Sequence, residues 1–176
     1  MSEPLWAPWR MEYILGKKQK DRCVFCVAES APEEELAERL VVWSSERILV
    51  MLNRFPFAAG HLLVIPRVHT SRLDALDERD HTLLFRVVRE SVNRLGEAVR
   101  CEGFNVGLNL GTVAGAGIAE HLHVHIVPRW SGDTNFMPVL ADTRVVPQAL
   151  ADTRSHLAPH FANLALSLDP PRAQDG

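Results

Sequence analysis

The stretch His121-Leu122-His123-Val124-His125-Ile126-Val127-Pro128 decides the fold, because in it histidine alternates with aliphatic residues. A period of two is that of a β-strand with one polar and one apolar face. It predicts a strand whose aliphatic residues enter a core while the three histidines line the other face. Neighbouring histidines would stand roughly 7 Å apart, and one zinc ion, which holds each nitrogen at about 2 Å, cannot bind all three. The row must therefore divide its work, unless it is a plain edge strand that faces water.

Length, charge and hydropathy exclude several classes of protein. The 176 residues fit one domain with a sizeable core. A net charge of −3 at pH 7 argues against nucleic-acid binding, which needs a basic surface. No apolar run has the length of a membrane span, and Met1-Ser2-Glu3-Pro4 does not begin a signal peptide. We expect a cytoplasmic protein with no nucleic-acid or membrane partner.

The apolar pattern predicts four strands besides the histidine stretch. A short polar break separates two β-rich runs, which is typical of a hairpin, and a proline ends the next run. The predicted strands are residues 40–43, 47–52, 61–65 and 104–110.

Two helices are predicted. Residues 77–100 carry apolar side chains at helical spacing behind Asp77, which can cap the helix. A second helix is expected from Pro147, with Pro159 breaking or kinking it. Residues 169–176 are expected to fray.

The residues around His123 suggest phosphorus chemistry. A histidine without a metal can act as a nucleophile. The preceding loop, Gly111–Gly117, is rich in glycine, so its backbone N–H groups can turn inward on an anion. Nucleotidyl transfer needs little more than an in-line nucleophile and fixed donors. We predict that His123 attacks, with one ring N–H held by a backbone carbonyl, and that His125 donates to a phosphate oxygen or the leaving group.

Cys23 and Cys26 form a pair with the spacing of a metal or redox site. In a reducing compartment a structural disulfide is less expected. If they bind zinc, the further ligands are His69 and one histidine of the row, and a Cys₂His₂ set would be closed and structural. The alternatives are a redox pair and two buried thiols. Cys101 stands alone and is read as an inert thiol.

The histidine stretch resembles the signature of the histidine triad (HIT) superfamily of nucleotide hydrolases and transferases. Residues 53–66 are similar to the strand–loop–strand that holds the nucleoside in this family, and Asn109 with the glycine-rich loop is similar to its phosphate loop. Residues 5–14 and 127–136 resemble a branch acting on diadenosine polyphosphates, which contains tetraphosphate hydrolases and phosphorylases. The match covers roughly Leu5 to Leu157.

The resemblance implies an α+β fold with a five-stranded antiparallel sheet, one long helix and a C-terminal helix. Residues 1–176 would form a single HIT domain, with an aromatic and basic N-terminal extension at 1–22 and a C-terminal extension at 129–168. It also implies a homodimer, a nucleotide substrate and Zn²⁺ as a structural ion, with Mg²⁺ accompanying the substrate.

The resemblance also assigns roles within the site. His123 becomes adenylylated, His125 serves the phosphate and leaving group, and His61 supports the triad. The implied zinc ligands are Cys23, Cys26, His69 and His121. The implied nucleotide and phosphate contacts are Asn53, with the ribose, and Asn109, Gly115, Gly117 and Trp130.

The main hypothesis is nucleotidyl transfer on diadenosine polyphosphates, with phosphorolysis slightly favoured over hydrolysis. The loop lacks the glutamine or serine of some triad hydrolases, which leaves water or phosphate open as the acceptor. Arg10, Arg129 and Arg144 are candidates for a phosphate pocket; the alternative for each is a solvated surface arginine or a partner of Asp133 or Asp142. The alternatives are an AMP-phosphoramidate hydrolase, a nucleotide-binding protein without turnover, and a metalloenzyme with an open zinc.

Overall fold

The computed structural model describes residues 23–133 and 149–165. The predicted extension 1–22 and the predicted frayed end 169–176 lie outside these ranges, as do residues 134–148 and 166–168 of the predicted extension 129–168. No helix within them is long and apolar enough to cross a membrane.

One antiparallel sheet of five strands forms the centre of the described chain, in the order β1-β2-β3-β5-β4. Its strands are β1 Val41–Ser44, β2 Ile48–Leu52, β3 Leu62–Pro66, β4 Gly103–Leu108 and β5 Val124–Arg129. The sheet, with one long helix and a C-terminal helix, confirms the predicted α+β fold.

Within the described ranges, three α-helices accompany the sheet: α1 Glu33–Glu38, α2 Glu78–Val99 and α3 Leu150–Phe161. The predicted cap of α2 is confirmed, since the Asp77 side chain accepts a hydrogen bond from the Asp80 N–H. The predicted effect of Pro159 differs from the structure, because α3 continues through Pro159 for two residues before it ends. Arg94 of α2 donates to the His160 carbonyl over 2.5 Å, which stabilises this last turn.

The two faces of the sheet carry separate apolar cores. Helices α2 and α3 pack on one face, where Leu122, Val124 and Ile126 join the larger core as predicted. The other face carries a smaller core that includes Phe25 and Leu63. Because side chains alternate along the histidine stretch, its aliphatic residues face the helices and its histidines face the opposite side of the sheet.

The histidine stretch is less regular than predicted, because β5 begins at Val124. His121, Leu122 and His123 precede the strand, and the Leu122 N–H donates to the Thr70 carbonyl instead of a ladder partner. The cause lies in β3, which ends at Pro66, a residue with no N–H to offer. Alternation survives, since His121 and His123 remain buried on the face opposite Leu122.

Candidate functional site

A cavity of about 840 Å³ lies on the face of the sheet opposite α2 and α3. Its floor follows one row of the ladder, in which Met51 pairs with Leu63 and Leu63 pairs with His125. Phe25 adds a further apolar wall. A volume of this size suits a drug-sized or nucleotide-sized ligand.

Most of the predicted site residues meet at this cavity. The predicted residues that line it are Asn53, Asn109, Gly115, Gly117, His123 and His125. His61 lies fully buried behind His125. Trp130 is half-buried and does not line the cavity.

The His123 imidazole is buried, and its hydrogen bond shows which ring nitrogen carries the proton. Its Nδ1 lies 2.8 Å from the His121 carbonyl oxygen, which can only accept, so Nδ1 carries the proton and Nε2 keeps its lone pair. Burial lowers the pKa of His123 below its usual value. The Phe25 ring packs against the imidazole at 4.9 Å between centroids. The structure thus supplies the backbone carbonyl that the sequence predicts without identifying.

A chain of hydrogen bonds fixes the tautomers of the other two cavity histidines. The Phe57 N–H donates to His61 Nδ1 over 3.1 Å, so the proton of His61 sits on Nε2. His61 Nε2–H then donates to His125 Nδ1 at 2.9 Å. It follows that the proton of His125 sits on Nε2.

The His125 ring is neutral, and its Nε2–H can donate a hydrogen bond to a ligand. Burial, and secondly the neighbouring His123, lower the pKa of His125 to about 4, so the ring is uncharged near pH 7. Its Nε2 is buried and has no hydrogen-bond partner in the described chain. A buried unsatisfied donor is costly, and a ligand oxygen in the cavity would satisfy it.

A second cluster, formed by Cys23, Cys26, His69 and His121, lies next to His123. Its four ligand atoms all lie within 4.8 Å of one another. Cys23 Sγ is 3.4 Å from His121 Nδ1, and Cys26 Sγ is 3.2 Å from His69 Nδ1. A zinc tetrahedron with typical bond lengths separates sulfur and nitrogen ligands by about 3.5 Å, so the four residues fit this ion.

The orientation of His121 supports the same interpretation. Its Nε2 lies 2.7 Å from the Pro66 carbonyl oxygen, so Nε2 carries the proton and Nδ1 is left for a metal. The structure thus brings together the four residues that the resemblance implies.

The glycine-rich loop differs from the expectation that its N–H groups surround an anion. The N–H groups of Ala114 and Ala116 donate to the Gly111 carbonyl, and that of Gly115 donates to the Thr112 carbonyl. These three donors are therefore used within the loop. Gly115 is needed for its shape, since its φ of 85° is one that other residues rarely adopt.

Arg129, one of the three arginines predicted to hold phosphate, does not line the cavity, whereas two other arginines do. Arg129 is occupied by Asp133, with N–O distances of 2.5 and 2.7 Å, while Arg10 and Arg144 lie outside the described ranges. Arg39 and Arg54 line the cavity and were missed. Arg54 directly follows Asn53, so the loop motif itself held the signal.

Comparisons with known proteins agree with this geometry. Residues 34–132 match the HIT domain family. The chain is 39% identical over 163 residues to a Mycobacterium tuberculosis protein named AP-4-A phosphorylase, with 90% of this chain and 84% of that protein covered.

Two solved structures are similar in fold. A hypothetical histidine triad nucleotide-binding protein from Sulfolobus tokodaii has a TM-score of 0.62 and 25% identity, covering 83% of this chain and 96% of that one. A Zn-bound histidine triad family protein from Mycobacterium smegmatis has a TM-score of 0.61 and 24% identity, covering 82% and 96%. The histidine geometry, the match over residues 34–132 and the relative from Mycobacterium tuberculosis place this chain in the HIT domain family.

Proposed function

We propose that the protein cleaves diadenosine polyphosphates by nucleotidyl transfer through His123, with phosphate as the final acceptor. The observation that carries this proposal is that two Nε2 atoms in one cavity, those of His123 and His125, have opposite protonation. His123 offers a lone pair and His125 offers a proton. These are the nucleophile and the donor that attack on phosphorus requires.

In the first step, His123 Nε2 attacks the phosphorus that carries one adenosine. The N–P bond forms as the P–O bond to the remaining nucleoside polyphosphate breaks, so ATP leaves from diadenosine tetraphosphate. His125 Nε2–H donates a hydrogen bond to the oxygens that gain charge. The His121 carbonyl stabilises the positive imidazole through Nδ1–H.

In the second step, a phosphate oxygen attacks the same phosphorus and the N–P bond breaks. The products are ADP and the regenerated free base of His123. Water in the same position would give AMP. Since His125 is neutral with a pKa of about 4, it assists both steps as a hydrogen-bond donor and not as an imidazolium acid.

The remaining cavity residues are assigned by position. We assign Met51 and Leu63 to the floor under the nucleoside. We assign Asn53 to the ribose and Asn109 to the phosphates, since all four residues line the cavity. Mg²⁺ on the polyphosphate would shield its charge. The relative named AP-4-A phosphorylase favours phosphate as the acceptor, whereas the internal bonds of the loop leave fewer donors to hold it.

We also propose that Cys23, Cys26, His69 and His121 hold one structural Zn²⁺. The ligand distances and the proton on His121 Nε2 support this assignment. Four protein ligands close the coordination sphere, so the ion contributes stability and takes no substrate.

Replacement of His123 by Ala, Gln or Asn should lower turnover of diadenosine tetraphosphate by roughly 10³-fold or more, because the covalent route is lost. Nucleotide binding and the melting temperature should change little. Steady-state kinetics and calorimetry measure both. His81→Ala, an exposed histidine on α2, is the matched control. More than a few per cent of wild-type activity in His123→Ala would disprove the role of the nucleophile.

Protein purified without chelator should contain one zinc per chain by elemental analysis. Cys23→Ser should lose the metal and melt roughly 5 °C or more below the wild type, because metal binding is coupled to folding. Cys101→Ser removes the cysteine outside the cluster and should do neither. Equal melting temperatures for Cys23→Ser and Cys101→Ser would contradict a structural zinc site.

Phosphate should accelerate consumption of diadenosine tetraphosphate and give ADP plus ATP, because a bound acceptor competes with water through its effective concentration. Chromatography of the products with and without phosphate tests this. Sulfate at the same ionic strength separates acceptor chemistry from salt effects. An unchanged rate with AMP plus ATP as products would make the enzyme a hydrolase.

We further propose a homodimer that uses β4. This strand ends the sheet, and its Val106 side chain is 47% exposed; an exposed edge strand favours association. Light scattering should give about twice the 19.7 kDa of one chain. Val106→Lys should shift the mass toward the monomer, whereas Val113→Lys, at the exposed loop, should not. A monomeric wild type at micromolar concentration would rule this out.

A further inference from the structure

Two exposed phenylalanines stand at the rim of the cavity. Phe55 is 43% exposed and Phe57 is 50% exposed, and both line the cavity. Each lies in the loop between β2 and β3. Large apolar side chains that stay exposed next to a binding cavity are candidates for ligand contact.

The loop that carries these rings is fixed to the histidines. The Phe55 N–H donates to Asn53 Oδ1 over 2.9 Å, and the Phe57 N–H donates to His61 Nδ1 over 3.1 Å. The Phe57 ring stacks on the His61 imidazole with centroids 5.0 Å apart and planes 26° apart. The position of Phe57 relative to the reacting phosphorus is therefore set by the same hydrogen bonds that set the histidine tautomers.

The register of β3 and β5 gives the order of the His123, His125 and Phe57 rings along the sheet. His125 pairs with Leu63, so His123 lies toward the Pro66 end of β3, whereas Phe57 precedes β3 at its other end. His123 and His125 have ring centroids 4.8 Å apart, and His125 and Phe57 have centroids 6.3 Å apart. In-line displacement places the leaving group on the side of the phosphorus opposite the nucleophile. Because His125 is the donor assigned to the leaving oxygens and lies between His123 and Phe57, the leaving nucleoside polyphosphate departs on the Phe57 side of the phosphorus.

The nucleoside that stays on His123 takes a different direction. The cavity floor runs across the strands, from His125 over Leu63 to Met51, a distance of about 10 Å at the usual strand spacing. That route meets the loop between β2 and β3 at its first residue, Asn53, and leads toward α1, whose Glu34 and Glu38 line the cavity. The two exposed phenylalanines thus lie on the route of the leaving group.

We propose that Phe55 and Phe57 form a stacking site for the second nucleobase of a dinucleoside polyphosphate, the base that departs with the leaving nucleoside polyphosphate. The inference rests on the proposed function. Any base presents a π-face, so such a site favours a second nucleoside without selecting its identity, and loss of one stack weakens binding on the order of tenfold. Arg54, which is exposed and lines the same cavity, adds positive charge next to the polyphosphate path.

The test compares two substrates that differ in the second nucleoside alone. Diadenosine tetraphosphate and adenosine 5′-tetraphosphate share the first adenosine and the four phosphates. We expect the metal-loaded wild type to have the lower KM for the dinucleotide. Phe55→Leu, Phe57→Leu and the double variant should reduce this KM ratio on the order of tenfold. Phe85→Leu, a 42% exposed phenylalanine on α2 outside the cavity, should keep the wild-type ratio.

Other outcomes would overturn the stacking site. Equal KM values for the two substrates in the wild type would show that the second nucleoside is not bound. An equal loss on both substrates in Phe57→Leu and in Phe55→Leu would assign these rings to the support of His61 or to the first nucleoside.

Binding measurements separate this inference from the proposed function. Calorimetry with His123→Asn, alone and combined with Phe55→Leu, compares the affinity for the two nucleotides without turnover. A wild type that cleaves neither nucleotide refutes the proposed function, while the affinity ratio still tests the stacking site. Unchanged ratios in the combined variant refute the stacking site alone.

Discussion

His121 makes three interactions on which the rest of the site depends. Its Nδ1 faces the Cys23 and Cys26 thiols at 3.4 and 3.6 Å. Its Nε2–H donates to the carbonyl of Pro66, which ends β3, and its own carbonyl accepts the proton of His123 Nδ1. The residue is 1% exposed, so its ring cannot rotate without repacking. The cluster that fits zinc, the end of the sheet and the tautomer of His123 are therefore held by one side chain and its backbone.

The other two histidines show how burial determines chemistry. His61 and His125 are linked by a 2.9 Å hydrogen bond, and the chain begins at the Phe57 N–H. Burial lowers the pKa of His125 to about 4, which removes it as an acid near neutral pH and keeps it as a dipole with a fixed direction. A fixed donor of this kind stabilises charge on phosphate oxygens without reorganising in the transition state. Low basicity in this position is thus consistent with nucleotidyl transfer, in which the leaving polyphosphate needs charge stabilisation more than a proton.

The sequence predicts the elements far better than the hydrogen bonds. Alternation of residue types identified the two faces of the histidine stretch, and helical spacing identified α2, because both follow from short-range geometry. The start of β5 was predicted too early, since it depends on Pro66 of another strand. The tautomers depend on partners such as the Phe57 N–H and the His121 carbonyl, which are fixed by tertiary structure. For the same reason Arg129 was a candidate for phosphate, although Asp133 occupies it.

The two-residue period of the histidine stretch explains why this one stretch can serve three chemical roles. Side chains on one face of an extended chain repeat at roughly 7 Å, which is wider than the spacing of ligands around one zinc ion. In the proposed reaction, His121 serves the thiol cluster, His123 serves the phosphorus and His125 serves the departing oxygens, and the His123 and His125 rings stand 4.8 Å apart in the cavity. The loop between β2 and β3 continues this line beyond His125, because the Phe57 N–H starts the hydrogen-bond chain and the Phe57 ring stacks on His61. Phe57→Leu keeps the backbone N–H and removes the ring alone, so its effect on kcat reports the stack on His61 and its effect on the KM ratio reports the leaving nucleoside.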